Sequence, residues 1–214
     1  MNLESSKNLG GVGALLIVIA SVGLFGQAFV GLLGLVGIIL VLIALKGISD
    51  YYQEAGIFNN ALYAIIIAII GLVAFVGAIV ASVLMFLSNL PIELKDLVEK
   101  GDWASFAAKF PAEFTNMNVI WTLVGTIIIA LVVLFIFAII AMVFFRKSLG
   151  LLSSKTGVGL FGTAGLLMLI GAVLTIIIIG FLLIWIGWIL LIVAFFTVRT
   201  QAAPTQTPPP PPTA

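Results

Sequence analysis

The 214-residue chain is 63% hydrophobic and 8% charged, with a mean hydropathy of +1.38. A soluble domain carries about 25% charged residues, and a globule of this size cannot hide so much apolar surface from water, so a bilayer is the solvent. A net charge of +1 gives no basis for nucleic-acid binding, and the lack of Cys and His removes disulfides, thiol nucleophiles and the commonest metal ligands and proton shuttles.

A helix needs about 20 apolar residues to cross the hydrocarbon. The uncharged stretch from Leu9 to Leu45 is too long for one pass, and the Ser21–Gln27 segment offers a break, so spans are expected at about 9–25 and 28–45. Gly26-Gln27-Ala28 loosely matches a signal-peptide cleavage site, but the apolar run resumes at Phe29, which favours a retained first helix. Further spans are expected at about 61–87 and 119–145. The stretch from Gly157 to Val198 is again too long and should split near Gly180, giving spans at 158–179 and 181–198. Together these make an all-α, polytopic membrane helix bundle over residues 1–200. For the first and last hairpins, one long tilted span plus a re-entrant segment is the alternative.

Between the third and fourth spans, residues 88–118 form the one sizeable polar stretch. Pro91 suits a first helical turn, Gly101 stops that helix, and Trp103, Phe106, Ala107 and Phe110 follow at helical spacing. An external amphipathic segment anchored on the membrane surface by Trp103, Phe106 and Phe110 is expected. A lid or a partner-docking face is the other use such a segment has. Residues 201–214, with Pro208–Pro212, read as a disordered, proline-rich cytoplasmic tail.

Basic residues orient the bundle. With the N-terminus inside, Lys7, Lys46, Arg146, Lys147, Lys155 and Arg199 are cytoplasmic, which leaves Lys95, Lys100 and Lys109 outside among five carboxylates. Six spans then place both termini in the cytoplasm. Trp103, Trp121, Trp185 and Trp188 are expected towards the outer boundary, and Tyr51, Tyr52 and Tyr63 towards the inner one.

The chain also shows internal similarity. Ser5-Ser6-Lys7 precedes the first hairpin and Ser153-Ser154-Lys155 the last, and Gly37-Ile38-Ile39-Leu40 with Ala44 aligns at constant offset with Gly187-Trp188-Ile189-Leu190 with Ala194. Ile57-Phe58-Asn59-Asn60-Ala61 likewise resembles Leu160-Phe161-Gly162-Thr163-Ala164. Three parallel hairpin repeats and chance likeness among apolar helices both account for this.

Candidate functional residues are few. Gly31, Gly34 and Gly37 recur at every third position, as do Gly159, Gly162 and Gly165, and bare backbone at that spacing serves helix packing or an interface between protomers. Asp50 and Glu54 in the second loop have no nucleophile or further ligands beside them in sequence, so no catalytic, cofactor-binding or metal residue is assigned. No ionisable group falls within any expected span, whereas ion-coupled carriers commonly keep one at mid-membrane. Ser21, Ser82, Thr122, Thr126, Thr163 and Thr175 are the polar groups available there.

Met1-Asn2-Leu3-Glu4-Ser5-Ser6-Lys7, the loop from Ala44-Leu45-Lys46-Gly47 to Ile57-Phe58-Asn59-Asn60-Ala61-Leu62-Tyr63, and Thr163-Ala164-Gly165-Leu166-Leu167 resemble a mostly archaeal family of multi-pass membrane proteins known as domain of unknown function 996. The resemblance runs from the start to about Val198 and excludes the proline-rich tail. It implies a cytoplasmic-membrane setting in an archaeon, and it brings no activity, cofactor or site residue. The expected function is a non-enzymatic structural or accessory component of a homo-oligomer or larger membrane complex, with the lipid bilayer as its solvent and no nucleic-acid partner. The alternative is a channel or transporter for a neutral or lipid-like solute.

Overall fold

The computed structural model describes residues 2–23, 27–89, 101, 104 and 117–199. Among these, the long helices are α1 (Leu3–Ser21), α2 (Gln27–Tyr51), α3 (Ala55–Asn89), α4 (Met117–Thr156), α5 (Gly159–Val173) and α6 (Ile179–Thr197), with no strand. A 3-10 turn, Leu174–Ile177, joins the last two. Among the described residues six helices are long and apolar enough to cross a membrane, α5 being counted with its turn, so the chain is an all-α multi-pass membrane protein. Most of the expected surface segment, including Trp103, Phe106 and Phe110, lies outside the described residues, as does the proline-rich tail.

Local chemistry sets the helix ends. Asn2 caps α1 by accepting the Ser5 N–H at 2.8 Å, and Glu4 complements the positive end of the helix dipole. Gly23, at φ 69°, follows the C-cap Val22, whose amide reaches back to the Ile19 carbonyl. Gly157, at φ 71°, ends α4 in the same left-handed way, its amide bonded to the Ser153 carbonyl at 3.0 Å. Helix α1 therefore begins well before the expected apolar span, and α4 continues to Thr156, past Arg146 and Lys147.

The break in the last hairpin falls at Leu174–Ile178, ahead of Gly180. Ile178, not glycine, takes the positive φ (59°). Gly180 lies in the first turn of α6, where the absent side chain admits the backbone of Gly171 and Thr175. The glycine that suggested a turn is used for packing.

Two compact units are present: one comprises residues 1–62 and 144–214, the other residues 63–143. In the first, α1 packs on α2 and on α6, and α5 packs on α6. Glycines set the closest approaches. A Cβ on Gly13 would lie 2.7 Å from the Gly37 carbonyl oxygen, and one on Gly37 would lie 2.7 Å from that of Gly13. Gly171 meets the Gly180 carbonyl oxygen at 2.8 Å in the same sense. Gly10 makes room for the Phe195 ring, and Phe195 packs edge-on against Phe161 at 5.1 Å. Leu45, Ile48, Ile57, Leu149, Leu152 and Met168 complete this core. The Trp188 ring stands 5.9 Å from Phe145, the neighbour of Arg146. It therefore lies beside the basic end of the bundle, not at the outer boundary expected from sequence.

Hydroxyl groups tie the helix ends together. Ser148, fully buried, donates to the Ile57 carbonyl and so joins α4 to α3. Ser49 donates to the Glu54 carbonyl at 2.8 Å, closing the short α2–α3 loop. In the second unit, Phe137 of α4 fills the space over Gly71 of α3, and Ala64, Ala130 and Ala141 are buried.

Two outcomes are expected for unfolding in mild detergent. Gly37→Val should destabilise the fold by about 1–3 kcal/mol, because the obstacle is backbone and cannot move aside, whereas Gly77→Ala, with no atom near its added Cβ, should stabilise α3 by about 0.5–1 kcal/mol. Ser148→Ala should cost about 0.5–1.5 kcal/mol by removing the buried hydrogen bond that joins α4 to the Ile57 carbonyl of α3, while Glu54→Gln, which breaks a part-exposed ion pair with Lys155, should cost under about 1 kcal/mol.

Candidate functional site

The polar groups of the first unit gather around the α2–α3 and α4–α5 loops. Lys46 pairs with Asp50 at 2.7 Å, one helical turn away, and its ammonium sits 5.5 Å from the Phe58 ring centre. Lys155 reaches Glu54 at 3.1 Å, joining the end of α4 to the loop before α3. Each loop carboxylate thus has its own lysine. Asn60 turns back on its own helix and donates to the Gly56 carbonyl at 2.7 Å. Lys7 of α1 donates to the Val198 carbonyl at the end of α6, at 3.2 Å. Burial raises the Tyr52 phenol above its ordinary range, and Tyr51 beside it adds to the shift, so Tyr52 is neutral at physiological pH.

Two shallow pockets open at this end. One, of about 320 Å³, is lined by Lys46, Ser49, Asp50, Gln53, Phe58 and Asn59. The other, of about 470 Å³, lies between the α4–α5 junction and the end of α6, bordered by Thr156, Gly157, Gly159, Thr197 and Arg199. Among the described residues no three His, Cys, Asp or Glu side chains converge as metal ligands.

The glycines singled out by spacing have different surroundings. Gly37 is buried against α1, Gly34 lies an ordinary 3.7 Å from the Ala20 methyl, and no described residue lies near Gly31. On α5, Gly165 packs on Leu149 and on the Arg146 backbone, Gly162 on Ser153, and Gly159 is open. Gly13, Gly171 and Gly180, whose added Cβ atoms would each run into a facing carbonyl oxygen, are absent from that set, because they do not fall in an every-third-residue run. The shared Gly-x-x-x-Ile spacing of Gly13–Ile17 and Gly180–Ile184 is the signal that could have found two of them, since each isoleucine covers a glycine of the facing helix.

The span hydroxyls all turn inward onto their own helices. Ser21 donates to Val18, Ser82 to Ala78, Thr122 to Asn118, Thr126 to Thr122, Thr163 to Gly159 and Thr175 to Gly171, each to a backbone carbonyl. They satisfy backbone and side chain together in an apolar solvent.

No solved structure matches the chain. Over 197 residues it is 29% identical to the uncharacterized protein MJ1644 of Methanocaldococcus jannaschii, covering 92% of this chain and 93% of that one. Residues 33–189, from α2 to the middle of α6, match the model of a family described as protein of unknown function (DUF996). The chain belongs to that family.

Proposed function

We propose that the protein is a non-enzymatic structural or accessory component of a membrane assembly, formed with further copies of itself or with other membrane proteins. The observation that carries this reading is the α2 face around Gly31. Among the described residues its backbone has no neighbour within 4 Å of an added Cβ, and Leu32, Leu35, Val36 and Ile39 nearby are exposed. Bare backbone on an apolar helix permits close helix–helix approach, the main source of association where lipid removes the hydrophobic driving force. The lysine-paired loop carboxylates and inward-turned hydroxyls fit a packing role better than a reactive or solute-lining one.

The cytoplasmic membrane, with both termini inside, is the setting that the basic residues support. Lys7 bonds to Val198 beside Arg199, and Lys155 to Glu54 in the loop after Lys46, an association of basic residues with the helix-end loops that the positive-inside rule links to a cytoplasmic face.

Native mass measurement and crosslinking in membranes test the assembly. The particle should exceed the 22.6 kDa of one chain, and Gly31→Leu should lower its mass while leaving the unfolding temperature unchanged. A monomer in mild detergent, with no crosslinked neighbour in the membrane, would remove the proposal.

A further inference from the structure

Length and composition allow α5 and α6 to cross a bilayer, but their register against α4 sets how far they reach. Gly165 of α5 packs on the Arg146 backbone, its added Cβ falling 3.3 Å from the Arg146 Cα, and Trp188 of α6 stands against Phe145. Arg146 and Lys147 are exposed, and exposed charges on a membrane helix lie at headgroup level because the hydrocarbon excludes them. Gly165 and Trp188 therefore lie near that level too. From Gly165 to Ile177 the chain rises about 20 Å, taking 1.5 Å per α-helical and 2.0 Å per 3-10 residue. From Trp188 to Ile179 it rises about 14 Å. The hydrocarbon is about 30 Å thick, so the hairpin ends well short of the far side.

The turn itself is built for an apolar surrounding. Ile176 is 74% exposed, Ile177 60%, Ile178 79% and Ile179 58%, and Phe181 and Leu182 beside them are exposed as well. Thr175 is the turn's one polar side chain, and its hydroxyl donates to the Gly171 carbonyl at 2.9 Å. The Ile178 amide bonds to the Thr175 carbonyl at 3.2 Å and the Phe181 amide to the Ile178 carbonyl at 3.0 Å, so the tightest part of the turn supplies its own partners. Water would gain little from meeting this tip. Acyl chains fit it.

We propose that the α5–α6 hairpin is re-entrant: it enters from the side carrying Arg146, Lys147, Lys155 and Arg199, and its Leu174–Ile179 turn ends among lipid acyl chains without reaching the opposite aqueous phase. This rests on the chain being a multi-pass membrane protein and is independent of any assembly.

The chain contains no cysteine, so single substitutions report one site each. Ile176→Cys and Ile177→Cys alter exposed positions. Ser154→Cys marks the basic side, and Met117→Cys marks the far end of α4. After reconstitution in vesicles, a membrane-impermeant maleimide should label Ser154→Cys and Met117→Cys from opposite sides. Both turn variants should label at under a tenth of those levels from either side, and fully after solubilisation in SDS. A bimane attached at either turn position should be quenched at least twofold more by lipids brominated in mid-chain than by lipids brominated near the headgroup. Labelling of both turn variants from the Met117→Cys side would establish a complete crossing and overturn the proposal. Labelling from the Ser154→Cys side would place the hairpin outside the hydrocarbon and overturn it equally.

Discussion

Helices made of isoleucine, leucine and valine gain little by leaving an apolar solvent for each other, so contact between them depends on how closely their backbones can approach. In this chain that approach is set by glycine. Gly13 and Gly37 each sit over the carbonyl of the other, and Gly171 and Gly180 repeat the arrangement in the last hairpin. An isoleucine one helical turn from a glycine then covers the facing glycine, Ile17 over Gly37 and Ile184 over Gly171. Bare backbone brings the helices near, and a branched side chain fills the remaining gap.

At the loop end the physics changes. There, larger side chains build a core of soluble-protein character, with Phe161 against Phe195 and Leu45, Ile48, Leu149 and Leu152 closely buried. Buried hydroxyls connect separate elements: Ser148 links α4 to α3, and Ser49 closes the loop between α2 and α3. The ion pairs around them are part-exposed and contribute less. A buried hydrogen bond between elements typically contributes more than a part-exposed ion pair. The shape of this end therefore depends on two serines more than on its lysines.

How much of this was legible in the sequence differs with the physical signal. Apolar length and composition suffice for a membrane helix, so the six helices and their order could be read directly. The family could be read from the loop motifs, whose polar residues are more distinctive than the repeated Ile, Leu and Val of the helices. The ends were harder. Arg146 and Lys147 mark the end of the apolar span in sequence, but α4 continues through residues 148–156 because Leu149 and Leu152 are buried in the first unit. Gly180 was expected to mark the break between spans, but the break falls at Leu174–Ile178, since sequence cannot distinguish a glycine that turns the chain from one that admits a neighbour. Of the spaced glycines, Gly37 and Gly165 are packed within the chain and Gly31 and Gly159 are open, and a spacing of three carries no information on which is which.

The repeat illustrates what burial adds to sequence likeness. At the offset that aligns Gly37 with Gly187, the pairs Val41 and Leu191, Ala44 and Ala194, Leu45 and Phe195, and Ile48 and Val198 are all buried in the structure. Both glycines are buried too. The side chains differ in size at most of these positions, so the correspondence lies in which face of the helix turns inward, not in identical residues. A shared inward face is what equivalent packing positions produce, whether by descent or because a helix with one partner on each side has few other ways to place its small residues. The closest backbone approaches, however, do not follow that offset. Gly37 meets the Gly13 backbone of α1, whereas in the last hairpin that approach is made by Gly180, seven residues before Gly187, which meets the Met168 side chain of α5 instead. The two hairpins therefore share a buried face but bring their backbones together at different points along it.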